Sequence, residues 1–399
     1  MKIAMLGQKG IPAHSGGIDQ HVDALSRYLV ARGHEVTVYC RRSYCGQHTP
    51  ATDEAGPQRI FRPNIPTKHL DAITHTLTST LDVMLRRADV VHYHALGPAA
   101  LSPLARLAGL PVVVTVHGLD WQRAKWGPFA KRCIRFGERM AAANARRLIV
   151  VSPVLQHYFA DKYGVQAEFI PNGVMPMQHL PPKRMSEHGI ESRKFVLSVS
   201  RLVPEKGLHY LIPAFAKLDT GMKLVIAGGG GFDADYERQL HALADDRVIF
   251  LGPTDREFTA ELFSHAQLFV LPSDLEGMSI ALLEAMNMGV PVLVSDIPEN
   301  ACVVEDAGFL FRAGDVDHLS SVLSDLLEDS SHLAEFGCRA SERVAPFQWP
   351  AVVDQLEQVY QSCCGLNRSS EPPSTANPQI EAAAAPVADA IDRAAVREG

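Results

Sequence analysis

Short, continuously apolar runs rich in β-branched residues recur along this chain, each followed by a helical stretch, and no other feature restricts the fold as much. The first series is Lys2–Leu6, Glu35–Tyr39, Val90–His92, Val112–Val116 and Arg147–Val151. After Pro171 the pattern restarts with Lys194–Val199, Lys223–Ala227, Val248–Leu251, Leu268–Leu271 and Val290–Val294. A strand apolar on both sides must be covered on both sides, and parallel neighbours need a helical crossover between them. Pro171-Asn172-Gly173 and then Pro181-Pro182 punctuate the break between the two series. The pattern predicts an α/β protein of two doubly wound, Rossmann-like domains facing each other across a cleft. Their expected limits are 1–172 and 173–345, followed by an amphipathic helix within 346–363. Beyond it, 364–399 is rich in Ala, Pro, Ser and Glu without an aromatic, a composition expected to be disordered.

Composition narrows the function classes. A length of 399 residues suits two ordinary domains plus an appendage. A formal net charge of −7 argues against a general polyanion binder, so no nucleic-acid partner is expected and any basic surface must be local. The seven cysteines are scattered, odd in number and without C-x-x-C spacing, so neither a metal site nor a disulfide framework is indicated. MKIAMLG reads as a strand rather than a signal peptide, and no apolar run reaches the length of a membrane span. A cytoplasmic location is the expectation.

Open α/β sheets bind ligands outside the carboxyl ends of their strands. Behind the first run comes Gly7-Gln8-Lys9-Gly10-Ile11-Pro12 and then Gly16-Gly17-Ile18, opening a helix that carries His21, Leu25 and Leu29. Glycine lets amides approach an anion, and a helix start favours negative charge. Such a loop can equally answer a need for positive φ; of the two readings, a phosphate contact at Gly17 is favoured. In the second series the run ending at Val199 leads into Ser200-Arg201 and, shortly after, Lys206-Gly207, two cations able to neutralise a diphosphate. The run Leu268–Leu271 leads into Pro272-Ser273-Asp274-Leu275-Glu276-Gly277, with a helix starting near Ser279. Amides at Met278, Ser279 and Ile280 would face an anion. Glu284 lies one turn after Ile280 inside an apolar run, where an unpaired charge is costly, so Glu276 and Glu284 are expected to reach one ligand from two heights.

These segments resemble the retaining glycosyltransferases of family 4, which have the GT-B architecture. The likeness spans roughly 1–362 and rests on GGIDQHVDALSRYLVARGHEVTVY from Gly16, SRLVPEKG from Ser200, and PSDLEGMSIALLEAMNMGVPVLVSD from Pro272. It implies a nucleotide-sugar donor held mainly by the C-terminal domain and an acceptor entering from the N-terminal one. By that resemblance Arg201 and Lys206 bind the donor diphosphate, Glu284 the ribose hydroxyls and Glu276 the transferred sugar. Gly16 and Gly17 sit against the phosphate, and the helix from Trp349 crosses back to the first domain. His117, in VTVHGLDW, is implied as a contact to the donor sugar. Asp120 and Trp121 beside it, and His94 in VVHYHALG, are candidates for the acceptor side, with packing an equal alternative for the histidine. The implied chemistry is retention of anomeric configuration without a metal or other cofactor, in cell-surface polysaccharide or glycolipid synthesis. Alternatives are a nucleotide-sugar epimerase of the same architecture and a noncatalytic nucleotide-sugar binder. Two D-x-D strings, Asp233-Ala-Asp235 and Asp315-Val-Asp317, lie away from the expected site and are discounted as metal ligands.

One segment is unexpected in an acidic protein. From Trp121 to Arg147 there are eight basic residues and one acid, Glu138, interleaved with Trp121, Trp126, Phe129 and Phe136. Two readings stand level: docking of 121–147 to an anionic membrane surface or lipid-linked acceptor, which would place the protein peripherally at the inner face of the cell membrane, or a solvated helix face whose aromatics fill the core.

Overall fold

Valine, isoleucine and leucine fill strands that are buried on both faces. The computed structural model describes residues 1–13, 16–51, 56–67, 70–229 and 234–365, so the expected tail beyond 365 and Asp233 lie outside the described residues. The chain divides into two compact units, Met1–Gly173 together with the chain from Trp349 onward, and Val174–Gln348.

In the first unit the strands are β1 (Lys2–Leu6), β2 (Glu35–Cys40), β3 (Gln58–Phe61), β4 (Val90–His94), β5 (Val112–Val116), β6 (Arg147–Val150) and β7 (Glu168–Phe169). They lie in the order β3-β2-β1-β4-β5-β6-β7. Every pairing is parallel, with Ile3 opposite Val36 on one side and Val90 on the other. In the second unit β8 (Phe195–Val199), β9 (Lys223–Ala227), β10 (Val248–Gly252), β11 (Leu268–Leu271), β12 (Val292–Ser295) and β13 (Phe309–Phe311) form the parallel order β10-β9-β8-β11-β12-β13. Both are doubly wound Rossmann-like sheets. Their strand order reverses between β1 and β4 and between β8 and β11, the positions where such sheets hold ligands.

Differences from the sequence reading sit at sheet edges. β3, β7 and β13 are edge or near-edge strands of four, two and three residues, too short to show a periodic signal. The run expected from Val290 begins as strand only at Val292, because Pro291 has no amide to donate to the ladder.

The helix Trp349–Cys364 belongs to the first unit, where it packs on the helix Gly17–Ala31 and on β4. Trp349, Val352, Val353, Leu356, Val359 and Tyr360 form its buried face. Arg32 donates to Glu357 at 2.9 Å and to the Pro350 carbonyl at 3.0 Å, fixing the helix at its solvent edge. A Cβ at Gly173 would stand 2.2 Å from the Trp349 ring, so the chain leaving the unit passes directly over the indole. The second unit is centred on Leu208, Leu211, Ile212 and Phe215, which pack with Leu319 and Leu323 against β8, β9 and β11. Among the described residues no helix is long and apolar enough to cross a membrane.

Trp349→Ala removes a side chain that is 1% exposed. It is expected to cost about 3–5 kcal/mol, read as an earlier urea midpoint for the transition of the first unit. An unchanged midpoint would mean that this helix contributes little to the unit.

Candidate active site

The chain leaving β8 makes one turn of 3-10 helix at Pro204–Lys206 and then bends at Gly207, whose φ is +67°. A Cβ there would lie 1.8 Å from the Pro272 carbonyl oxygen. Only glycine lets the loop after β8 rest on the chain leaving β11. That contact brings Lys206 and Glu276 together although 70 residues separate them: Lys206 Nζ donates to Glu276 Oε1 at 2.5 Å. Ser273 Oγ donates to the same oxygen at 2.7 Å. The Glu276 side chain is 7% exposed and that of Lys206 16%, so the pair is largely desolvated. Asp274 N–H donates to the Glu205 carbonyl at 3.0 Å, a second tie between the two loops. Lys206 has three donors and gives one to Glu276, leaving two N–H groups that can donate to an anion. Arg201 follows β8 at the same edge.

Ser279 is the N-cap of the helix Ile280–Asn287, its Oγ accepting from Leu282 N–H. The Ser279 hydroxyl is therefore used in capping, and what it and Ile280 can offer a ligand is the first amides of the helix, which have no intrahelical acceptor. Met278 is buried beside them. Glu284 is half-buried, and its carboxylate accepts no hydrogen bond and forms no ion pair among the described residues. Burial pushes its pKa up to about 7, offset only in part by the charge of Arg256. A carboxylate kept in that condition is relieved by ligand hydroxyls that donate to it. The sequence reading passed over a third acid: Glu299, in the first turn of the helix Pro298–Val304 behind β12. Burial, with the charge of Glu276 adding to it, lifts its pKa to about 7. In the sequence it is the second acid behind the run Val290–Ser295, after Asp296, and nothing in the spacing marks it out.

In the first unit, Gly16 (φ +94°) is the N-cap of the helix Gly17–Ala31, and Gly17 is the first helical residue with its amide at the open end. Asp19, buried in the first turn, accepts from Lys9 N–H at 2.7 Å and so folds the loop after β1 onto the helix. Burial raises its pKa to about 6 against the opposing effect of Lys9. Four imidazoles meet beside this loop. His92 is fully used, with Nδ1 on the Tyr360 hydroxyl and Nε2 on Thr115 Oγ1, both at 2.7 Å. His94, at the end of β4, meets His117 Nε2 through Nδ1 at 3.2 Å. Its Nε2 is buried without a partner among the described residues, a condition that costs about 1–3 kcal/mol. His21, whose ring centroid lies 4.9 Å from that of His117, completes the group. Burial holds His21 down to about 4 and His94 and His117 well below the usual imidazole range, so all are neutral at pH 7. Sequence periodicity made His21 only a helix-face residue; its part in this group depends on the packing of that helix over β4 and β5.

Asp120 forms an ion pair with Arg123 at 3.3 Å. The Trp121 indole N–H donates to Glu138 at 2.7 Å, so only its ring is left for a ligand. Glu138 is fully buried and accepts as well from Tyr158 at 2.9 Å, Lys162 at 2.8 Å and Tyr163 at 2.6 Å. The basic helix Pro128–Asn144 buries Ile134, Gly137, Glu138 and Ala141. Its Phe129 is 81% exposed and Phe136 52% exposed, so these aromatics do not fill the core. Of the D-x-D strings, Asp315 caps the helix Val316–Glu328 by accepting from His318 N–H at 2.9 Å, and Asp317 pairs with Lys217.

Comparison with known proteins identifies the family. The family model "Glycosyltransferase Family 4" matches residues 15–176, and "Glycosyl transferases group 1" matches 182–343. A GDP-mannose-dependent alpha-(1-6)-phosphatidylinositol monomannoside mannosyltransferase of Mycolicibacterium smegmatis is 30% identical over 361 residues, 84% of this chain and 91% of the relative. The chain belongs to glycosyltransferase family 4. A second relative of this family 4 glycosyltransferase is the UDP-Gal:alpha-D-GlcNAc-diphosphoundecaprenol alpha-1,3-galactosyltransferase of Escherichia coli, 30% identical over 68% of this chain and 75% of the relative. Among solved structures, sucrose-phosphate synthase of Thermosynechococcus elongatus gives a TM-score of 0.78 at 22% identity, covering 92% of this chain and all of that one. HepE of Anabaena, solved with UDP and glucose, gives 0.74 at 21% identity, covering 91% of this chain and 100% of that chain. The fold is GT-B. With glycosyl transfer as the activity, the epimerase alternative falls away.

The raised pKa of Glu284 carries a stability signature. Below about 4.5 the group is protonated whether folded or unfolded and contributes nothing. Above that value the unfolded state ionises first, and the penalty on the folded state grows until it is complete above about 7. Glu284→Gln is therefore expected to stabilise the ligand-free protein by on the order of 1–3 kcal/mol at pH 8, with the gain vanishing at pH 4. Denaturant melts at both pH values check this, and a gain equal at the two would disprove the desolvated carboxyl.

Proposed function

We propose that this glycosyltransferase moves a sugar from a nucleotide-diphosphate sugar to a hydroxyl acceptor with retention, needing no metal or other cofactor. The observation that carries the reading is the meeting of Lys206, Glu276 and the start of the helix Ile280–Asn287 where β8 and β11 diverge, with Arg201 on the same edge. Two cations and a helix N-terminus are suited to the charge that develops on a departing diphosphate. Glu284, one turn into that helix, is assigned to the ribose hydroxyls, and Glu276, fixed by Lys206 and Ser273, to the transferred sugar. In the first unit the reading gives Gly17, with Gly16, a donor phosphate and His117 a sugar hydroxyl; a neutral imidazole can donate from one nitrogen and accept at the other. His94, Asp120 and Trp121 are assigned to the acceptor side. The bond from the anomeric carbon to the phosphate oxygen breaks as the acceptor oxygen attacks on the same face, and the acceptor proton passes to the leaving phosphate.

Release of nucleotide from UDP-, GDP- and ADP-sugars, with and without lipid-linked and saccharide acceptors, tests the assignment. Lys206→Ala and Glu276→Gln are each expected to lower turnover by about 10²–10³-fold, with the folded state retained. Release that survives both substitutions unchanged would refute the site. A chain that binds nucleotide sugar but shows no acceptor-dependent release would be a noncatalytic binder.

For the acceptor we infer a lipid-linked saccharide at an anionic membrane, with the protein in the cytoplasm and peripheral at the inner face. The basic helix Pro128–Asn144 supports this, and it has a companion. The helix Asp71–Arg86 is inverted, burying His75, Thr76, Ser79 and Thr80 while Leu77, Leu81 and Leu85 face solvent. Leu107, 84% exposed, lies on the helix Ser102–Leu107, which packs on both. Exposed leucines and phenylalanines, the latter on the same helix as Arg132, Arg135 and Arg139, suit the interface of a bilayer better than water. Sedimentation with vesicles containing anionic lipid is expected to capture the wild type and to lose the variant with Arg132, Arg135 and Arg139 changed to Glu. Equal, negligible capture of both would remove the membrane from the reading.

A further inference from the structure

We propose that His21, His94 and His117 form a binding site for a divalent transition-metal ion, with Zn2+ as the ion to test. The three residues come from separate elements: the helix Gly17–Ala31, the end of β4 and the residue after β5. One ring nitrogen from each lies within 4.8 Å of the other two, with His94 and His117 already 3.2 Å apart. Zinc–imidazole bonds of about 2.0–2.1 Å in a tetrahedral site place ligand nitrogens about 3.4 Å apart. An ion that draws the three nitrogens in from the 4.8 Å limit would meet that spacing. The donor set is all imidazole, which suits zinc, cobalt, nickel and copper and does not suit calcium or magnesium.

A second observation separates this group from an ordinary packed cluster. Neither ring nitrogen of His21 makes a full hydrogen bond among the described residues, although the side chain of Asn172 acts on that ring, so His21 has a nitrogen to give an ion, while His94 would exchange the contact of its Nδ1 with His117 for one. His92, its ring centroid 4.1 Å from that of His94 and tilted by 34°, has both nitrogens satisfied and supports the site from behind. Trp349 closes the other side, 5.2 Å from His21. Three protein ligands leave a fourth position for water or a ligand oxygen, the arrangement of an open metal site rather than a closed structural one.

The ion is not a participant in sugar transfer. It occupies His117, and in the proposed function His117 contacts the donor sugar, so the ion is an inhibitor of transfer; this consequence alone rests on that reading. Binding is measured separately from activity. Free thiols include the exposed Cys133 and Cys338, so the full chain is first alkylated. It is then titrated with Co2+, whose visible bands report four-coordinate nitrogen ligation, and with Zn2+ against a chromophoric chelator. One ion per chain is expected, with affinity falling by at least the roughly 10–100-fold that disturbing even an outer partner of a metal site costs, in both His94→Ala and His21→Gln. Circular dichroism and thermal melts identify any variant that has lost its fold, and the other variant then decides. No saturable binding by the wild type, or equal binding by a folded variant, overturns the site. Binding without inhibition of nucleotide release upholds the site and refutes the sugar contact assigned to His117.

Discussion

Every strand in each sheet runs the same way, and the geometry of the candidate site depends on that constraint. Parallel strands put all their carboxyl ends on one edge, so the loops that leave them must pass close to one another. Backbone contact there is tolerable only where no Cβ intervenes, as at Gly207 on the Pro272 carbonyl. That close approach produces the Lys206–Glu276 pair, the fixed position of Ser273 and the tie between Asp274 and Glu205. The glycine is thus as much a part of the candidate site as the charges, because it sets the distance between them.

The two units solve the problem of polar groups at a strand edge in opposite ways. In the second, Glu276 has Lys206 and a serine hydroxyl, while Glu284 has no hydrogen-bond or ion-pair partner among the described residues and carries a raised pKa. In the first, the corresponding edge is held by neutral rings. His92 is satisfied by Tyr360 and Thr115, whereas His94 keeps a nitrogen unmatched among the described residues. Unsatisfied groups at such positions cost stability in the free protein and are the groups that a ligand can improve.

Much of this was legible in the sequence. The continuous apolar runs marked both sheets because burial on two faces leaves an unambiguous composition, and Glu276, Lys206 and Glu284 were visible because each lies behind such a run. Strands β3, β7 and β13 were not legible, being short and at or near an edge where only part of the pattern is enforced. Helix Asp71–Arg86 misleads a periodicity reading, since its threonines and serine face inward and its leucines outward. The roles of His21 and Glu299 depend on neighbours distant in sequence, which spacing cannot reveal.

Glu138 has a mechanical meaning. One buried carboxylate ties Trp121, Tyr158, Lys162 and Tyr163 to the middle of a helix whose outer surface carries Phe129 and Phe136. The loop that begins at His117 is thereby riveted to the same helix that faces outward. The exposed phenylalanines and Trp121, four residues from the imidazole, are thus joined through one helix and its one buried carboxylate.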